Sequence, residues 1–221
     1  MVDPFVSFLI LLGLLFLLSR AVSQSLGLLV YRFTRSKRLM INVLAFIFFP
    51  GTVIHEFAHA AIAQMIGVRV GEIELMPEIE GANIKLGSAQ VEESDPFRSF
   101  LIGVAPLIGG FVLIFLTIAL YSRFAISGFW PTMLLFYILF EIGNTMFSSK
   151  RDMEGALELI AAVALVLGFL YLIGVRQFFG EILSFANNLG PFFKMATSAL
   201  IKIVVIDVVV VMAARFFNSS K

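Results

Sequence analysis

Six stretches of this chain run apolar for long enough to dominate what it can fold into: Pro4–Leu18, Leu39–Gly67, Phe97–Tyr121, Phe129–Phe147, Ala156–Gly174 and Ala196–Phe216. A helix needs about 20 predominantly apolar residues to cross roughly 30 Å of hydrocarbon. The first run is short by that measure and is expected to continue through the amphipathic stretch Ala21–Tyr31. Only one acidic residue, Asp3, precedes it, with no basic segment ahead and no clear small-residue cleavage site behind. It therefore reads as a retained helix and not as a signal peptide. Composition agrees, because 60% of the residues are hydrophobic and only 14% are charged, against roughly 25% charged in soluble domains. So few charges, with a net charge of +1, exclude the disordered, collagenous and nucleic-acid-binding classes. The absence of cysteine excludes disulfides and thiolate metal sites. The expected architecture is an α-helical polytopic membrane protein with about six transmembrane helices, residues 1–221 forming a single membrane-embedded domain. Residues 176–194 mix aromatics (Phe178, Phe179, Phe185) with polar groups and read as an interfacial helix ending at Gly190-Pro191.

Residues 68–93 break the pattern. Their apolar side chains alternate: Val68 and Val70, Ile73 and Leu75, Ile84 and Leu86, Ala89 and Val91. That is the period of a strand. The phase slips near Gly71 and near Gly87, and glycine inside a strand pattern often marks a bulge. Met76 to Gly81, with Pro77, reads as the turn. A small β-hairpin on the membrane surface is expected directly after the second helix.

The chain has two histidines, and they lie four apart, as His55 and His59, with Glu56 between them. On a helix both imidazoles point to one face. This is the H-E-x-x-H pattern, in which two neutral imidazoles suit zinc and the glutamate is placed for proton transfer. Three ionisable groups in an apolar span are costly, and such groups are usually functional. A catalytic zinc wants a third protein ligand. With no third histidine and no cysteine, the chain must supply an Asp, a Glu or a weaker donor. The fourth run returns to the end where the motif lies, and Asp152 and Glu154 follow it immediately. Glu141 and Asp207 sit inside the fourth and sixth runs, either as satisfied buried polar groups or as secondary functional groups.

The segment Gly51-Thr-Val-Ile-His-Glu-Phe-Ala-His-Ala60 resembles the active-site helix of the site-2-protease-type intramembrane metalloproteases. So do a hairpin after that helix, the pattern Gly103-Val-Ala-Pro-Leu-Ile-Gly-Gly110 in the next, and Asn144 eight residues before Asp152, with Gly155 close behind. The resemblance covers roughly residues 45 to 160, so that 39–160 is the expected catalytic core. Two departures stand out. The family usually has Asp-Gly directly where this chain has Asp152-Met-Glu-Gly155, and it often has Asn where this chain has Gly109. The first departure leaves Glu154 as an alternative ligand, while the Asn144 spacing favours Asp152.

The resemblance implies hydrolysis of peptide bonds within or near transmembrane segments of a membrane-protein substrate. Zinc would be held by His55, His59 and Asp152, and Glu56 would be the catalytic base. Asn144 would bind substrate backbone or orient a ligand, or else make a hydrogen bond within the bundle. The hairpin's exposed edge, with Ile84 and Leu86, would hold an unwound substrate segment by strand addition. Gly103, Gly109 and Gly110 are expected to allow close helix packing. Other readings are a membrane zinc protease of another lineage with a Glu ligand, a metal transporter, and a non-catalytic scaffold. A multi-pass protein of the cell membrane is expected. The basic cluster Arg32–Arg38 would place the end opposite the motif in the cytoplasm, whereas the family analogy places the motif end there.

Overall fold

The computed structural model describes residues 4–75, 78–80, 83–85, 88–92, 94–147, 156–175, 180 and 188–219. Among them are six long helices: α1 (Pro4–Thr34), α2 (Lys37–Met65), α3 (Pro96–Arg123), α4 (Phe129–Thr145), α5 (Ala156–Leu172) and α6 (Gly190–Ser219). Four short strands separate α2 from α3: β1 (Val70–Glu74), β2 (Glu78–Glu80), β3 (Asn83–Lys85) and β4 (Ser88–Val91). Each expected apolar run lies on a helix. Three of them, α1, α2 and α3, are long and apolar enough to cross a bilayer. Their outer faces carry large apolar side chains, among them Phe46 at 82% and Phe33 at 74% exposure. Hydrocarbon suits such a surface and water does not. Of the expected interfacial helix, residues 190–194 belong to α6, and most of the remainder lies outside the described residues.

Local chemistry sets the helix ends. Ser36 caps α2 by accepting the Leu39 N–H, and Asp95 caps α3 by accepting the N–H groups of Phe97 and Arg98. Pro96 fills the first turn of α3, where no N–H is needed. At the far end of α2, Gly67 takes a positive φ of 77°. The Val68 N–H then reaches the Ala63 carbonyl at 2.8 Å and the Gly67 N–H reaches Gln64 at 3.2 Å. This is a Schellman closure, and it drops Val68 onto Ala63 beside Ile102 of α3.

The bundle order follows from a few contacts. α1 and α6 run parallel, with Phe5 and Phe8 against Phe193 at one end and the Arg32 guanidinium donating to the Asn218 carbonyl at the other. The core joins Leu15, Ile114, Leu139, Ile142, Met146, Leu200 and Ile203, from α1, α3, α4, the residue just after α4, and α6. Gly110 of α3 lies so close to α4 that a Cβ there would sit 2.6 Å from the Met146 Cβ. The expected role of glycine in close helix packing is met at that position.

The strands form two antiparallel pairs: β1 with β4, and β2 with β3. The register slips between Val70↔Val91 and Ile73↔Ala89, at the expected bulge near Gly71. The turn is displaced from its expected position. Glu78–Glu80 are strand, and Glu80 pairs with Asn83, so strand pairing covers residues expected to turn. Pro77 and two acidic residues lend this stretch a turn-like composition, but Glu78-Ile79-Glu80 alternates and can pair. The base of the hairpin packs through Val70 and Val91 against Ala63, Val68 and Ile102.

Candidate metal centre

α2 carries a proline inside the helix, Pro50, one turn before the histidines. Proline has no N–H and disturbs the bond to the residue four back, and in apolar surroundings the freed backbone groups need other partners. α4 supplies them. The Gly51 N–H donates to Glu141 Oε2 at 3.1 Å, and the Tyr137 hydroxyl donates to the Ile47 carbonyl at 3.1 Å. One turn further along, His55 Nδ1 lies 2.6 Å from the Thr145 carbonyl. Ile47, Gly51 and His55 thus meet Tyr137, Glu141 and Thr145, each 90 residues apart. Parallel helices of equal period make such a ladder. Gly51 allows the close approach, since a Cβ there would meet Thr145 Oγ1 at 2.5 Å and the Glu141 carbonyl at 3.0 Å.

His59 is held from another direction. Its Nδ1 lies 2.8 Å from the carbonyl of Ile102 on α3. The two rings meet edge to face, with centroids 4.8 Å apart and planes at 78°. Their Nε2 atoms converge to 3.1 Å.

These distances assign the tautomers. A carbonyl oxygen only accepts, so each Nδ1 carries the hydrogen and donates it. A neutral imidazole then has a bare Nε2. Two bare nitrogens at 3.1 Å cannot hydrogen-bond to each other; they call for a proton or a cation between or in front of them. Two nitrogens on tetrahedral zinc at roughly 2.0–2.1 Å from the metal lie about 3.3 Å apart. A backbone carbonyl on the remote ring nitrogen is also the usual outer support of a metal-binding histidine. The donor geometry therefore fits zinc.

Glu56 is buried at 8% exposure in the same turn. Asp152 and Glu154 both lie outside the described residues, and among the described residues no group of three His, Asp or Glu side chains is placed to hold an ion. Asn144 faces α6: its Nδ2 donates to Asp207 Oδ1 at 2.8 Å and to the Phe140 carbonyl at 2.9 Å. Asp207 is fully buried there. Ile84 lies in β3, and Leu86 is outside the described residues.

Sequence reasoning missed the two carbonyls that aim the histidines, because a backbone oxygen carries no residue-type signature. It also missed Tyr137. The four-residue spacing of Tyr137, Glu141 and Thr145, matching that of Ile47, Gly51 and His55, was the available signal. No family model matches the chain, and no curated protein or solved structure matches it either.

Proposed function

We propose that this chain is an intramembrane zinc metalloprotease that cleaves membrane proteins within or near their transmembrane segments. The observation that carries this conclusion is the convergence of the two Nε2 atoms to 3.1 Å, each ring anchored through Nδ1. The buried glutamate beside them supports hydrolysis over simple metal storage.

His55 and His59 would hold the ion through Nε2, with Asp152 as third ligand and Glu154 as its alternative. When bound, such an ion supplies Lewis acidity, acidifying water and polarising a carbonyl. Glu56 takes the proton of the attacking water and returns it to the leaving amine. Thr145 and Ile102 keep both rings in the tautomer that leaves Nε2 bare. A helical substrate hides its carbonyls in its own hydrogen bonds and must unwind before attack. The hairpin is placed to help, because each two-stranded sheet leaves an edge where an unwound strand can add. The full architecture in this proposal has about six transmembrane helices in the cell membrane.

Two measurements on purified protein test this together: zinc content, and cleavage of a transmembrane substrate by wild type and Glu56→Gln. One zinc per chain in both proteins is expected, with cleavage lost in the variant. A wild type that neither contains nor takes up zinc, or a variant that cleaves at the wild-type rate, overturns it.

A further inference from the structure

The break at Pro50 divides α2 into a lower half and the half that carries the histidines. A Pro-Gly pair in a helix is a natural kink point, because the intrahelical ladder is interrupted there. Three bonds from one stripe of α4 bridge it: Tyr137 to Ile47 below the break, Glu141 to Gly51 at it, and Thr145 to His55 above it. The stripe is tied within itself, since Thr145 Oγ1 donates to the Glu141 carbonyl at 2.7 Å. Glu141 is buried at 2% exposure, and its carboxylate accepts the Gly51 N–H beside Pro50.

We propose that Glu141 is a positioning residue: by accepting the Gly51 N–H at the Pro50 break, it sets the rotation of the motif-bearing half of α2 so that His55 Nδ1 meets the Thr145 carbonyl. Without that acceptor the contact that ties Gly51 to α4 is gone, and the upper half of α2 turns or slides against α4. Such a movement carries His55 off the Thr145 carbonyl. His59 responds less, because its anchor is on α3. The positioning role rests on the reading of His55 as a ligand for its purpose, but the geometry it sets exists without metal.

The test uses the full-length metal-free protein in detergent, with nitrogen-15-labelled histidine. The chain has only two histidines, so both imidazoles are resolved in one spectrum. In wild type both rings should carry a hydrogen on Nδ1, with any proton between the rings shared by the two Nε2 atoms. Glu141→Leu should shift His55 toward a mixture of tautomers and leave His59 unchanged. Glu141→Gln, which keeps an acceptor oxygen, should restore the wild-type spectrum. Zinc affinity should fall about 10-fold in the leucine variant, at the lower end for a lost outer-shell contact, and recover in the glutamine variant. A His55 signal unchanged in Glu141→Leu overturns the proposal. Should Glu141→Leu fail to fold, Gly51→Ala carries the test. It opens the same seam by crowding Thr145 and the Glu141 backbone. The same selective shift of His55 supports the proposal, and an unchanged His55 overturns it. A wild type that shows the expected tautomers and shifts but binds no zinc removes the metalloprotease reading alone.

Discussion

Two adjacent glycines in α3 should respond oppositely to the same small change. A Cβ at Gly110 would lie 2.6 Å from Met146 Cβ and 3.1 Å from its sulfur; a Cβ at Gly109 would lie 3.6 Å from Ala58 Cβ, an ordinary contact. A Cβ cannot rotate away, so in Gly110→Ala the backbone at Met146 must retreat by roughly 0.8 Å to reach normal packing. Overpacking of this kind costs about 1–3 kcal/mol of stability. Thr145, next to Met146, carries the carbonyl that holds His55 Nδ1 at 2.6 Å. A shift of that size brings the bond to about 3.4 Å, the limit of a useful hydrogen bond. Losing an outer-shell partner lowers metal affinity about 10–100-fold, equivalent to roughly 1.4–2.7 kcal/mol. Thermal unfolding in detergent reads the first effect and chelator competition for zinc reads the second. Gly110→Ala should show both effects and Gly109→Ala neither. Equal zinc affinity in the two variants would refute the link from α3 through Met146 to His55, and equal melting temperatures would refute the packing argument itself.

Asp152→Ala should lose most zinc affinity while Glu154→Ala keeps it; the reverse pattern, read by metal analysis, transfers the ligand role to Glu154. Asn144→Leu should destabilise the fold by about 2 kcal/mol, because it leaves the fully buried Asp207 without its amide partner. In a double-mutant cycle with Asp207→Leu the two losses should be clearly less than additive, and strict additivity would mean that the bond contributes nothing. In the hairpin, the Glu92 N–H turns inward to the Arg69 carbonyl at 3.1 Å. The Val91 N–H, one residue back, therefore points away from β1. Val91→Pro should then cut cleavage of a transmembrane substrate sharply while zinc content stays normal. Unchanged cleavage by a folded, zinc-loaded variant would leave the hairpin as a cover.

Much of the framework was legible because it depends on short-range pattern. Each apolar run lies on a helix, the alternation of residues 68–93 yields strands, and the slip at Gly71 is a register shift. The common face of His55 and His59 follows from helical period alone. The turn was misplaced because Pro77 and its acidic neighbours mimic turn composition, while pairing across the hairpin decides whether such a segment stays extended. What aims the histidines was not legible. The acceptors are the carbonyls of Thr145 and Ile102, atoms that every residue possesses, and only the docking of α4 and α3 on α2 selects which ones face the rings. The same docking gives Glu141 its place at the Pro50 break and turns Asn144 toward Asp207. A sequence states which groups sit one helical turn apart. The constant offset of 90 residues between α2 and α4 exists only once the two helices lie parallel at contact distance, and Gly51 is what lets them approach so closely.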